Sequence, residues 1–214
     1  STLKLINKLY FKERGKDVSW DSTQADTASY FGRLEILKYL NQNNCSIDRS
    51  AITNAVTNDK VKCLKFLHNL KGINFLPSNV METAVINDSS DCLEYLDKID
   101  CKSPWYLLET CVNNNSIKCL KYIISKNWFV KKDIAADILF RNNDRFDEEY
   151  LDPLKVRLVN ICIDNNSLEC LKYLLEEEKI KVNKNKIKFN IFRGGECLRY
   201  LKNNNIISEK SLLF

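Results

Sequence analysis

Residues 50–58, SAITNAVTN, place Ile52, Ala55 and Val56 at i, i+3 and i+4, which is one apolar face of a two-turn helix. Asp59 and Lys60 break that pattern. Val61, Leu64, Phe66 and Leu67 then start a second helix whose Lys62 and Lys65 point outward, and the polar stretch HNLKGIN ends it. The same succession returns in METAVINDSSDCLEYL, LLETCVNNNSIKCLKYI and LVNICIDNNSLECLKYL. The pattern predicts a unit of helix, tight turn and helix. Neither helix can bury its apolar face alone, so neighbouring units must stack and cover each other.

The second helices carry one repeated word: ILKYL at Ile36, CLKFL at Cys63, CLEYL at Cys92, CLKYI at Cys119, CLKYL at Cys170 and CLRYL at Cys197. The intervals are 27, 29, 27, 51 and 27 residues. A period of about 20 to 50 residues marks a stacked-repeat protein. The interval of 51 is nearly two periods. Within it, NNDRFDEEYL (Asn142 to Leu151) aligns with NNSLECLKYL (Asn165 to Leu174), so a decayed copy is expected there. The fold predicted is an all-α solenoid of about seven helix-turn-helix units, forming a single domain over residues 1–214. Repeats fill residues 20–207, with an irregular unit near 128–157 that contains Pro153.

The stretch from Trp20 to Leu40, WDSTQADTASYFGRLEILKYL, resembles an ankyrin repeat. Thr23 stands where that family's repeat opens its first helix, Ala28 at the small helix-packing position and Gly32 at the turn between helices. Leu34 to Leu40 match the second helix. Residues 1–19, with Leu3 to Tyr10, resemble the end of a truncated preceding unit. The chain departs from the family in its period of 27 to 29 residues against about 33, and in lacking the Thr-Pro-Leu-His opening in later copies. Shortened connections imply tight loops in place of projecting hairpins. Tetratricopeptide units, with a period of 34, and armadillo or HEAT units, with about 40 or more, do not fit the spacing.

Composition adds compartment and charge. Hydrophobic residues make up 44% of the chain, enough for a continuous core, and 33 Lys and Arg against 28 Asp and Glu leave a mild +5 spread along the chain. Abundant Asn and Lys read as a coding bias that fills solvated positions. The nine cysteines include no CxxC pair and none beside the single histidine, His68, so no metal site is expected. Five share the first position of the repeated word, where Ile36 replaces cysteine in one copy. That slot therefore wants a small, buried apolar side chain, as a free thiol provides in a reducing compartment such as the cytoplasm or nucleus. No apolar run approaches the roughly 18 residues of a membrane span, and the first residues lack a signal-peptide pattern.

No catalytic constellation is expected, and no cofactor. Gly194-Gly195 have neither phosphate-loop pattern around them and are read as an inter-helix turn needing positive φ. Asp144, Asp147, Glu148 and Glu149 lack calcium-loop spacing. Two surfaces remain. The resemblance to ankyrin arrays implies a concave face built from first helices, on which the matching slots are Thr27, Tyr30 and Phe31; Asn54, Thr57 and Asn58; Thr83, Ile86 and Asn87; Thr110, Asn113 and Asn114; and Ile161, Asp164 and Asn165. Tyr30, Phe31 and Ile86 are apolar in that polar field, as binding hot spots are. Trp105, Trp128 and Phe129 fall in loops and are further candidates. The second surface is Lys179 to Phe189, whose Lys179, Lys181, Lys184, Lys186 and Lys188 have no acidic neighbour within the tract; it is the alternative site, for nucleic acid or an anionic surface. The reading is a non-enzymatic module with a protein partner.

Overall fold

The computed structural model describes residues 21–101, 106–126, 151–180 and 195–207, with side chains at all of these except 73 and 151–156. Every regular element among them is helical. In chain order they are α1 (Ser22–Tyr30), α2 (Leu34–Gln42), α3 (Arg49–Thr57), α4 (Val61–Lys71), a 3₁₀ turn (Ile73–Phe75), α5 (Val80–Ile86), α6 (Ser90–Lys98), α7 (Leu107–Asn113), α8 (Ile117–Ser125), α9 (Leu151–Asp164), α10 (Leu168–Lys172, continued as a π turn over Tyr173–Glu177) and α11 (Gly195–Asn203). These are five helix pairs and the second helix of a further unit. The chain forms two compact units, residues 1–83 and 84–214.

One backbone device makes each turn between paired helices. Gly32, Asp59, Asp88, Asn115 and Asn166 all have φ between 51° and 68°. Only glycine, asparagine and aspartate enter that left-handed region at small cost. The next amide in each case, from Arg33, Lys60, Ser89, Ser116 or Ser167, donates to the carbonyl five residues back at 2.7–2.8 Å. This is the Schellman closure, which satisfies a helix-end carbonyl and reverses the chain in very few residues. Second helices end in the same way at Asn44, Asp100 and Asn205, where the amides of Cys45, Cys101 and Ile206 reach back five residues; Gly72 and Lys179 also have positive φ but are followed by other bonding. Asn44, Asn115, Asn166 and Asn205 are thus placed by backbone geometry. Gly195 differs from the expectation: it is the first residue of α11 and has no positive φ, while Gly194 lies outside the described residues.

In the first unit, α1 packs along α3. Their facing residues are small: Ala25, Ala28, Ser29, Ala51 and Ala55 are all at most 4% exposed. Small side chains let the two helices approach closely, so backbone and methyl contacts replace the large aliphatics of an ordinary core. Leu37, Leu40, Ile52, Leu64 and Leu67 fill the space between these helices and α2 and α4. Gly32 has a second reason to be glycine, because a Cβ there would stand 2.8 Å from Lys60 Cδ.

In the second unit three bonds recur between successive repeats. The left-handed turn residue accepts from the backbone of the next repeated word: Asp88 Oδ1 from Cys119 N at 2.9 Å, Asn115 Oδ1 from Cys170 N at 3.3 Å, and Asn166 Oδ1 from Cys197 N at 3.1 Å. The word's thiol donates to a carbonyl of the preceding first helix: Cys119 to Ala84 at 3.7 Å, Cys170 to Cys111 at 3.9 Å, and Cys197 to Cys162 at 3.5 Å. Those three carbonyls also receive the Schellman amides of Ser89, Ser116 and Ser167. The cysteine is therefore a hydrogen-bond donor to a second lone pair as well as a small buried side chain, which the sequence reading had not seen. On the second-helix side, Tyr122 donates to Asp97 at 2.7 Å and Tyr200 to Glu176 at 2.6 Å.

The same bonds fix which described pairs are neighbours. Cys170 meets Cys111 and Asn115, Ser167 donates to Val112, and α9 packs on α7. The pair α9–α10 is thus seated directly on α7–α8, although the repeated words of the two pairs stand 51 residues apart. The decayed copy expected at Asn142–Leu151 and most of the irregular stretch near 128–157 lie outside the described residues.

All nine cysteines are free, and eight are buried. Cys63, Cys92, Cys119, Cys170 and Cys197 hold the word slot. Cys111 and Cys162 hold the small slot of Ala28, Ala55 and Ala84, eight residues before the word. Cys45 and Cys101 follow second helices and close their ends, donating to Leu40 and Leu96 at 3.0 Å. Burial pushes every one of the shifted thiols up, Cys170 to about 12, Cys197 to about 11, and Cys111 well above its ordinary value.

Candidate partner-binding surface

The expected residues sit at the C-terminal ends of the first helices, where the chain is about to turn. In the first unit, Tyr30 closes α1 and Phe31 caps it, donating its amide to Thr27 at 3.1 Å before Gly32 reverses the backbone. Their rings meet edge to face, with centroids 5.0 Å apart and planes at 73°. Both stay in solvent, Tyr30 46% exposed and Phe31 60%. An edge-to-face pair holds two flat apolar surfaces at fixed angles, ready for a partner without further ordering. Thr27 is exposed as expected, but its hydroxyl donates to Thr23 O at 2.8 Å. On α3, Asn54, Thr57 and Asn58 are half-buried, and Asn58 Nδ2 returns to Asn54 O at 3.0 Å. Thr83, also half-buried, donates to Asn79 O at 3.0 Å.

In the second unit, Ile86 ends α5 with 45% of its surface exposed, and Asn87 beside it is exposed. Thr110 donates to Tyr106 O, and Asn114 Nδ2 to Thr110 O at 2.8 Å. Asn113 and Asn165, from neighbouring repeats, are brought together: Asn165 Nδ2 donates to Asn113 Oδ1 at 3.1 Å and also to Ile161 O at 3.1 Å. Ile161 is half-buried and Asp164 exposed. Asn58, Asn114 and Asn165 thus share one role, an amide folded back on the carbonyl four residues earlier, which satisfies helix-end acceptors. That capping explains why asparagine recurs there. It leaves the apolar residues Tyr30, Phe31 and Ile86 as the ones the fold itself does not use.

The described residues form short helix pairs, each closed by a left-handed turn and stacked at short intervals. No family model matches the chain, and no curated protein matches it. Among solved structures, the human ASB11 ankyrin repeat domain is similar: it is 16% identical, covers 72% of this chain and 68% of its own, and superposes with a TM-score of 0.46.

Sequence reasoning missed two contacts beside the expected slots. Ser50 donates to Asp26 at 2.8 Å between α3 and α1, and Arg157 pairs with Glu109 at 2.9 Å between α9 and α7. Asp26 and Glu109 stand ten residues before their repeated words, so that register was the available signal. Of the other candidates, Trp105, Trp128, Phe129, the acidic run at 144–149 and the lysines at 181–188 lie outside the described residues. Lys179 is exposed at a left-handed helix end, and Ile180 is buried. His68 lies within α4, half-buried. Among the described residues no group of His, Cys, Asp and Glu could hold a metal ion, and no helix is long and apolar enough to cross a membrane.

Proposed function

We propose that the chain is a non-catalytic module that binds another protein through the exposed ends of its first helices, the side that ankyrin-type arrays present as their concave face. One observation carries this reading. Four large hydrophobic residues remain exposed among the described residues, and three of them, Tyr30, Phe31 and Ile86, occupy this slot. Interfaces draw most of their energy from a few aromatic and aliphatic anchors. A reducing compartment, cytoplasm or nucleus, suits nine free thiols.

The test is affinity capture from native lysate with identification by mass spectrometry, comparing the parent chain with Tyr30→Ala/Phe31→Ala and Ile86→Ala variants of unchanged helical circular dichroism. One partner should be lost from at least one variant. Capture that survives all three changes, and disappears when Lys181, Lys184, Lys186 and Lys188 are neutralised, refutes the reading in favour of the basic tract.

A further inference from the structure

The fourth exposed hydrophobic residue, Leu70 at 39%, belongs to a different surface. It lies on α4, which carries Lys62, Lys65, His68 and Lys71 and has no acidic residue along Val61–Lys71. Lys62, Lys65 and Asn69 are exposed at i, i+3 and i+7, so they line one side of the helix, with Phe66 and Leu70 along its edge. At the C-terminal end, Lys71 Nζ stands 5.5 Å and Arg49 Cζ 5.8 Å from the centroid of the Phe75 ring. One ring thus holds two cations, and neither forms an ion pair among the described residues; Arg49 also donates to Asn74 O at 3.3 Å.

The first turn of α4 runs against the helix's own interest. A cation there opposes the helix dipole, and a carboxylate there favours it. At the position just before the repeated word, Glu35, Asp91, Glu169 and Glu196 supply that carboxylate to their helices. Lys62 holds the same position in α4, with Lys60 as the cap, and Lys118 holds it in α8; His68 and Lys71, in the last turn of α4, suit the dipole. A first turn that departs from the local rule, with an exposed leucine at the helix edge and a cation pair gathered on one phenylalanine, is built for something outside itself.

We propose that the exposed side and C-terminal end of α4 dock an acidic, partly apolar segment of a protein, with carboxylates against Lys62, Lys71 and Arg49 and an aliphatic side chain against Leu70. The exposed leucine selects a protein segment over nucleic acid, because phosphates gain from the cations and a base could stack on the ring, but an aliphatic side chain is matched by another aliphatic side chain. The residues are other than Tyr30, Phe31 and Ile86, so variants at the two sets test this proposal and the function proposed above separately.

The probe is a labelled synthetic peptide of alternating glutamate and leucine, titrated by fluorescence anisotropy against the full chain, with an oligothymidylate of equal charge as comparison. The peptide should bind saturably and more weakly as salt rises. Lys62→Glu/Lys71→Glu should lower its affinity by about tenfold or more, and Leu70→Ala by about threefold or more. Lys118→Glu and Tyr30→Ala/Phe31→Ala should leave it unchanged. All the substituted residues are exposed, and circular dichroism checks that each variant is folded. The proposal is overturned if the peptide does not saturate. It is equally overturned if Leu70→Ala has no effect while the oligothymidylate binds as tightly, which would make α4 a diffuse cationic face.

Discussion

Asn166 is where backbone conformation and inter-repeat bonding meet in one side chain. It holds φ at 55°, and its Oδ1 accepts from Glu196 N at 2.9 Å and Cys197 N at 3.1 Å, capping α11 from the neighbouring repeat. Replacing a capping side chain costs about 1 kcal/mol. Placing an ordinary L-residue in the left-handed region costs a further 1–2 kcal/mol, roughly, which glycine avoids. Asn166→Gly should therefore destabilise by about 1 kcal/mol, and Asn166→Ala by about 2–3 kcal/mol. Asn166→Asp keeps the acceptor, tolerates the conformation as Asp88 does at φ 51°, and adds a carboxylate beside a helix N-terminus, so its effect should be near zero or slightly favourable. The assay is urea unfolding combined with hydrogen exchange of the α11 amides. Because repeat proteins couple mainly to nearest neighbours, the loss should concentrate in Gly195–Asn203 and spare α7. A glycine variant as damaged as the alanine variant would refute the conformational half of the argument. An aspartate variant as damaged as alanine would refute the capping half.

Leu120 is fully buried, so Leu120→Ala should cost about 2–5 kcal/mol through the cavity it leaves, measured by urea unfolding, with exchange protection falling first in α8. The buried thiols should react with a thiol reagent at pH 8 only as fast as the protein opens, and the half-buried Cys101 should react first, as mass mapping of labelled peptides would show. Burial raises the folded-state pKa of Cys170 to about 12 from 9.0, so the unfolded thiol loses its proton more readily; stability is whole below pH 9 and declines as pH rises through that window. Alkaline melting curves should show the decline, reduced in Cys170→Ala. Tyr30→Ala/Phe31→Ala should change stability by less than about 0.5 kcal/mol while removing partner capture, because both rings are largely in solvent.

The helices could be read from the residues because helical periodicity is a local property. Ile52, Ala55 and Val56 lie on one face wherever the chain goes, and all three are fully buried. The place of each turn was legible for the same reason, from the break in apolar period at Gly32, Asp59-Lys60 and their equivalents, but the left-handed backbone of Asp59, Asp88, Asn115 and Asn166 was not. Of the candidate surface, the exposure of Tyr30, Phe31 and Ile86 was expected from the resemblance to ankyrin arrays. The hydrogen bonds of Asn58, Asn114 and Asn165 did not, since a polar side chain on an exposed slot looks the same whether it faces solvent or folds back on its own carbonyl. Two features needed the packed chain. One is the donor role of the word's cysteines, because the carbonyls of Ala84, Cys111 and Cys162 come within reach only when the next repeat is seated. The other is which repeats are neighbours. An interval of 51 residues leaves open whether the two pairs touch, and non-local contacts decide it: Ser167 donating to Val112 and Asn115 accepting from Cys170, across 55 residues of chain.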